Sequence, residues 1–247
     1  MQHKNPSPGT QLPLAIGWRA AADFDQFVSG PNGLAVTSVR ELANGRGGHG
    51  CVYLYGQSGS GRSHLLRAAC RTMGMRGQTA AYLPLGAPAE LSPALLKGLE
   101  DVGLVALDDL DGIAGDADWE ESLFHLYNRL LECRGRILVA ASRRPCDLAM
   151  QLPDLVSRLS AGLVQRLLPL SDDQLLEALQ RRAMSRGLDL PADTGRYLFG
   201  RLPRDAGTLF ALLDVLDEKA LAEQRRLTVP FVREVLSQTP WTRHQGG

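Results

Sequence analysis

The segment Cys51 to Ala69 leaves the fewest folding options open. Cys51-Val52-Tyr53-Leu54-Tyr55 is an apolar, β-favouring run, Gly56-Gln57-Ser58-Gly59-Ser60-Gly61-Arg62-Ser63 is a glycine-rich turn, and His64 to Arg71 continues with apolar residues at helical spacing. Strand, turn and helix in that order, with those glycine positions, form the P-loop layout, although Arg62 stands where a lysine is expected. Gly56, Gly59 and Gly61 can take positive φ and bring backbone N–H groups against phosphate oxygens. The helix starting near Arg62 turns its unpaired first donors and its positive dipole end toward the same anion. The Ser63 hydroxyl is then placed to ligate Mg²⁺. Arg62 keeps the charge but carries a planar fork in place of a compact ammonium, so nucleotide binding is expected to tolerate the change better than hydrolysis does. The bland alternative is a glycine-rich joint between strand and helix that holds nothing.

The chain has 247 residues, 44% hydrophobic and 22% charged, enough for one large or two modest domains with a real core. Its 27 basic and 27 acidic residues cancel, so no global charge draws it to nucleic acid or to an anionic membrane surface. Cys51, Cys70, Cys133 and Cys146 show no CxxC spacing; the first two fall on apolar faces, as small buried thiols do. A reducing, cytoplasmic setting follows. There is no basic N-terminal region leading into an apolar stretch and no apolar run long enough to span a bilayer, so neither export nor membrane insertion is expected.

Met1 to Thr10 is polar and rich in proline and glycine, which predicts a disordered tail. Gln11-Leu12-Pro13-Leu14-Ala15-Ile16 then sets three apolar side chains on an extended segment, suited either to a partner's pocket or to packing back as an edge. From Asp23 to Leu42, Phe24, Phe27, Val28, Gly30, Pro31 and Asn32 precede a helical pattern with Leu34, Val36, Val39 and Leu42. That loop can form an apolar slot for a purine base or be ordinary packing, with Phe24 and Phe27 read as core. Thr79 to Pro84 reads as a strand and Pro88 to Leu99 as a helix. Val102 to Leu107 is a buried strand ending in Asp108-Asp109. Acidic residues at a strand's carboxyl end, downstream of a P-loop, place Asp108 to hold Mg²⁺ through water and Asp109 to polarise a lytic water; a turn pair is the alternative.

Trp119 to Cys133 is an amphipathic packing helix, and Arg136 to Ser142 a buried strand whose last residue, Ser142, would sense a γ-phosphate or merely cap a turn. Leu152 to Leu159 is a short helix and Gly162 to Leu170 a strand. Arg158 lies beyond easy reach of this chain's own P-loop, which suits a phosphate site completed in trans, or else a helix C-terminal charge. From Ser171 only helices follow, over Asp172 to Arg186, Pro191 to Leu202, Asp205 to Gln224 and Val229 to Leu236, which marks a small helical lid. The expected division is a flexible tail over 1–22, an α/β nucleotide-binding domain over 23–170 with a parallel five-stranded sheet, an all-helical lid over 171–238 and a tail over 239–247.

In that order these features resemble an AAA+ ATPase domain from Asp23 onward. More closely, Phe24 to Asn32, Gly61 to Leu66, Leu126-Tyr127-Asn128-Arg129, Leu152 to Leu159 and Leu227 to Val232 resemble the Hda family, DnaA-related AAA+ proteins that inactivate the bacterial replication initiator DnaA. The resemblance implies an adenine nucleotide, ADP or ATP, with Mg²⁺, held by Val28, Gly30, Gly56, Gly59, Ser60, Gly61, Arg62, Ser63 and His64, with Ser63 and Asp108 toward the metal. It implies that Gln11, Leu12, Leu14 and Ile16 bind the DNA polymerase sliding clamp, its beta subunit, although Ala15 stands where a proline is frequent. It implies too that Arg158 acts as a finger on ATP bound to DnaA, with Asp109 and Ser142 as this chain's own catalytic positions. Two departures weigh against its own hydrolysis. Gly207 falls where a lid sensor arginine is usual, with Arg204 as the nearest stand-in, and Ser142 falls where acidic or polar residues are usual. The expected function is a nucleoid- or replisome-associated regulator of DnaA with weak or no ATPase, no sequence-specific DNA binding, no membrane contact, and room for a homo-oligomer. A stand-alone DnaA-like or helicase-loader-like ATPase acting on DNA is the alternative, disfavoured by the lack of a basic helix-turn-helix segment after the lid.

Overall fold

The computed structural model describes residues 22–46 and 48–238; the expected clamp-binding positions Gln11, Leu12, Leu14 and Ile16 lie outside them. Five strands, β1 (Cys51–Gly56), β2 (Ala80–Pro84), β3 (Leu104–Asp108), β4 (Arg136–Ala141) and β5 (Leu163–Leu167), make one parallel sheet in the order β2-β3-β4-β1-β5. The inner strands are continuous apolar runs because helices cover both faces, as a parallel sheet requires. Register is set by those runs, with Cys51 opposite Ile137 and Tyr55 opposite Ala141 between β1 and β4.

Alternation along each strand divides the core in two. Tyr53, Val105, Leu107, Ile137 and Val139 face a cluster completed by α3 (Ala117–Glu132) and α4 (Pro153–Ala161). Val52, Leu54, Leu104, Ala106, Leu138 and Ala140 face the other way, against α1 (Gly33–Ala43) and α2 (Arg62–Met75). Both thiols expected inside are there, and burial pushes Cys51 and Cys70 up to about 12, so they act as inert packing groups.

Two local readings differ from the expectation. The segment Pro88 to Leu99 is not a helix but short 3₁₀ turns at Pro88–Glu90, Pro93–Leu96 and Leu99–Asp101. Pro88 and Pro93 each restart the backbone, and Gly98, at φ +83°, stops it. On α1, Leu34 points outward and Ala35 takes the buried place beside Val36, Val39 and Leu42.

After β5 come α5 (Asp172–Met184), α6 (Ala192–Phe199), α7 (Ala206–Glu223) and α8 (Val229–Gln238). They share their own core, in which Leu179, Leu198, Leu212, Leu216, Phe231 and Val232 are buried. Sharp caps define the starts that matter here. Ser171 and Gln174 close a capping box on α5, and Asp205 accepts from the Thr208 N–H at 2.8 Å to start α7. Among the described residues no helix is long and apolar enough to cross a membrane.

Candidate functional site

The carboxyl ends of β1 and β3 open into a cleft of about 410 Å³ between the sheet and the helical unit. Its floor is the loop from Gln57 to Gly61. Gly56 itself is structural: a Cβ there would lie 2.5 Å from the Leu167 carbonyl, so β5 can pack against β1 only beside a glycine. Gly59 has φ +75°, and a Cβ on it would lie 2.8 Å from the Asp205 Cβ and 3.0 Å from the Ala206 nitrogen. The start of α7 therefore rests directly on the loop. Gly61, at φ +96°, begins α2 with no side-chain cap, leaving the first-turn N–H groups of that helix without side-chain acceptors.

Two buried polar atoms at this floor lack partners among the described residues, Ser60 Oγ and Arg62 Nη1. Leaving such groups unpaired is costly, and an anion cradled at this floor would satisfy them. Arg62 is mostly enclosed and its Nη2 reaches Asp109 Oδ1 at 3.5 Å, a loose contact to a half-exposed carboxylate. Asp109 adopts φ +52°, which turns it from the end of β3 into the cleft. Burial first, then the neighbouring Asp108 charge, raise its pKa, while Arg62 opposes them.

Asp108 is buried and does not line the cleft. Its Oδ2 accepts from the Tyr82 hydroxyl at 2.6 Å and its Oδ1 from the Asp109 N–H at 3.1 Å. Arg67 in turn donates to Tyr82 Oη at 3.1 Å. Burial and the Asp108 charge push the Tyr82 phenol up, which keeps it a donor. Among the described residues no group of three or more His, Cys, Asp and Glu side chains could hold a metal. The oxygen donors present, Ser63, Asp109 and Asp108, are of the hard type that suits Mg²⁺ only when phosphate oxygens complete the shell.

An apolar slot continues from the cradle, lined by Phe27, Val28, Leu170, Ala178 and Phe210. Asn32 holds its outer wall, donating to the Leu168 carbonyl at 2.9 Å and accepting from the Leu168 N–H at 2.8 Å. His64 donates from Nε2 to the Asp23 carbonyl at 2.8 Å and packs tilted on Phe27 at 5.5 Å. Burial lowers its pKa, and the charges of Arg182 and Arg67 add to that.

Of the sequence-derived positions, Val28, Gly59, Ser60, Gly61, Arg62, Ser63, His64 and Asp109 line this space. Gly30, Gly56, Asp108, Ser142 and Arg158 do not. Gly30 faces Gln174 and Leu170, closing the slot from behind. Ser142 is exposed at the end of β4 and gives both its N–H and its hydroxyl to Asp111. Arg204 does not supply the cation absent at Gly207, since it pairs with Asp172 at 2.8 Å outside the cleft. Phe27, read as core, is a slot wall. The lid residues Arg182, Phe210 and Asp214 were not singled out from sequence; their only signal was a polar or aromatic residue on the faces of α5 and α7 that meet the loop.

Arg158 is exposed on α4 and makes no ion pair among the described residues. Its backbone is held, however: the Arg158 carbonyl accepts from the Tyr127 hydroxyl at 3.0 Å. The buried Glu120 carboxylate accepts from the N–H groups of Gln151 and Leu152, at 2.8 and 2.7 Å, fixing the entry to α4.

Residues 92–166 match the family model for the bacterial DnaA ATPase domain, and residues 172–236 match that for the Hda lid domain. The chain belongs to the Hda/DnaA-related AAA+ family. Solved structures carry the same fold. Domain III of the replication initiation protein DnaA from Thermotoga maritima superposes with a TM-score of 0.77 at 20% identity, covering 91% of this chain and 99% of that one. AMPPCP-bound DnaA from Aquifex aeolicus gives 0.70 at 21% identity over 89% of this chain and 70% of that one. The RuvB Holliday junction branch migration motor from Thermotoga maritima gives 0.64 at 14% identity, over 88% and 72%. The five-stranded parallel sheet followed by a helical unit is thus the AAA+ fold expected from the sequence.

Proposed function

We propose that this protein is a regulatory AAA+ adaptor of DNA replication initiation, which holds an adenine nucleotide, ADP by preference, and promotes hydrolysis of ATP bound to DnaA. The observation that carries the reading is the division of labour in the geometry. The cleft offers an uncapped helix start, two orphaned buried donors and an apolar slot, features that grip an anion and a base. Of the groups that would drive hydrolysis there, Asp109 leans on Arg62 within the cleft and Ser142 is bonded to Asp111 outside it. Arg158, by contrast, has a fixed backbone and an exposed side chain outside the cleft, as a finger working on a neighbour's phosphates requires.

In this reading residues 23–170 form the nucleotide-binding domain and 171–238 its lid. The apolar slot takes adenine, the Gly59 to Ser63 backbone and Arg62 take the phosphates, and the lid closes over them. Ser63, with Asp108 acting through water, would hold Mg²⁺, which supplies charge neutralisation at the phosphates. Asp108 keeps Tyr82 and Arg67 ordered beside that site. Gln11, Leu12, Leu14 and Ile16 would dock in the sliding clamp, raising the effective concentration of Arg158 near DnaA on DNA and keeping a cytoplasmic protein at the replisome. The matches of residues 92–166 to the DnaA ATPase domain and of 172–236 to the Hda lid domain, and the AMPPCP bound by a DnaA of the same fold, support the choice of partner and ligand class.

The test is a DnaA-ATP hydrolysis assay with clamp-loaded DNA. The chain should accelerate hydrolysis; Arg158→Ala should bind nucleotide normally and lose the acceleration by about 10³-fold, the low end for an arginine finger. Full acceleration by Arg158→Ala would refute the trans role, and loss of nucleotide binding by that variant would show that Arg158 serves its own cleft.

A further inference from the structure

Arg182 on α5 is the one residue among the described set that the lid contributes as a cation to both parts of the cleft, the apolar slot and the phosphate cradle. Of the other arginines at the cradle, Arg62 belongs to the phosphate loop itself and leans loosely on Asp109, and Arg67 lies over the Tyr82 ring and donates to its hydroxyl. Arg182 is held but not saturated. Its Nη2 donates to both oxygens of Asp214, at 3.1 and 3.2 Å, its guanidinium covers the Phe210 ring at 4.9 Å, and its buried Nε has no partner among the described residues. Arg186 braces the same carboxylate from the next turn at 2.8 Å, so Asp214 is fixed from two sides. A guanidinium pinned at one edge, with a donor to spare, is pre-organised for an oxyanion.

Position selects which oxyanion. The cradle at Gly59 to Ser63 takes the distal phosphates, and the slot between Phe27, Val28 and Phe210 takes the base. A group lining both lies between them, beside the sugar and the first phosphate. The start of α7, resting on Gly59, brings its free N–H groups to the same junction. Resting on the nucleotide reading above, we propose that Arg182 is the lid's contact to the α-phosphate of the bound nucleotide and ties lid closure to occupancy. Asp214 is its positioning residue.

The experiment is titration of the full chain with ADP, AMP and adenosine, for the unaltered protein and for Arg182→Ala, Arg182→Lys and Arg204→Ala, with thermal unfolding reporting each fold. Arg182→Ala should weaken ADP and AMP by about tenfold or more, the equivalent of one charge-assisted hydrogen bond, and adenosine by less than about twofold. Arg182→Lys, which keeps stem and charge, should recover part of the loss for both phosphates and covers the case in which the alanine variant does not fold. Arg204→Ala, a lid arginine paired outside the cleft, should leave all three affinities within about twofold. Equal weakening of adenosine and AMP, unchanged AMP and ADP affinity, or an equal effect of Arg204→Ala would each overturn the assignment. Failure of the unaltered chain to bind ADP would instead overturn the nucleotide reading on which it rests.

Discussion

One methyl group at Gly61 tests how the cradle and slot are built. Gly61 sits at φ +96°, where an L-residue with a Cβ is strained by about 1–2 kcal/mol. A Cβ there would lie 2.5 Å from Phe27 Cε2 and 3.1 Å from Cζ, well inside the ~3.5–4.0 Å at which carbon atoms pack. The ring would have to retreat by about 1 Å. It is not free to do so, because it rests on His64, whose ring is tied to the Asp23 carbonyl. Forcing a packed aromatic aside adds about 1–2 kcal/mol. Gly61→Ala should therefore destabilise the ligand-free chain by about 2–4 kcal/mol, lowering the melting temperature by about 5–12 °C for a protein of this size. Thermal unfolding measures the total, and a double-mutant cycle with Phe27→Ala divides it. With the ring gone only the backbone share of about 1–2 kcal/mol should remain. Equal costs in both backgrounds would refute the steric argument, and a total under about 0.5 kcal/mol would refute the strain argument as well.

Two further perturbations probe the neighbouring elements. Glu120→Ala leaves the N–H groups of Gly115, Gln151 and Leu152 without their buried acceptor and should cost about 3–4 kcal/mol, with a loss of DnaA stimulation that Glu120→Gln partly restores; a variant as stable as the parent in urea unfolding would show that the carboxylate is dispensable. His64 has a folded pKa below its ordinary 6.5 because of burial, so the unfolded chain binds more protons in that window. Its stabilising share is fully present above pH 6.5 and is lost as pH falls from there through the folded pKa. Urea midpoints should consequently fall less steeply for His64→Gln than for the parent between about pH 7 and pH 5, and identical slopes would contradict the assignment.

The P-loop was legible because everything it needs is local: glycines at fixed spacing, an apolar strand before and a helical period after. The sheet was legible for the same reason, since fully covered parallel strands read as apolar runs. The helix expected over Pro88 to Leu99 failed because two prolines and Gly98 outweigh the apolar spacing of Leu91, Leu95, Leu96 and Leu99. The lid half of the cleft was illegible for another reason. Arg182, Phe210 and Asp214 come from two helices far along the chain, and in sequence each is an ordinary position on an amphipathic helix. Arg204 is near Gly207 in sequence, but α7 starts only after it, at the Asp205 N-cap, so Arg204 lies off the helix and pairs with Asp172. Ser142 ended where expected, at the end of β4; its hydroxyl partner, Asp111, could not be foreseen because it lies on a turn after another strand.

A cleft that turns nucleotide over and one that keeps it place different demands on the same acids. A carboxylate that activates water must present an ionised oxygen with an unengaged lone pair, whereas Asp109 is drawn toward Arg62 and raised in pKa by burial and Asp108. Replacing the P-loop lysine by arginine is what makes that pairing reach across the cleft, since the guanidinium fork has donors for both a phosphate and a carboxylate. A finger acting in another protein's site has the opposite need. Its charge must be free while its backbone is not, because about 1 Å of misplacement costs rate steeply. Tyr127 on α3 holds the Arg158 carbonyl, and Glu120, also on α3, holds the entry to α4, so one helix of the sheet's packing layer fixes both ends of the turn-and-helix that carries it. The backbone is held around Arg158 and the pairing lies around Asp109, which is the distribution the proposed adaptor role requires.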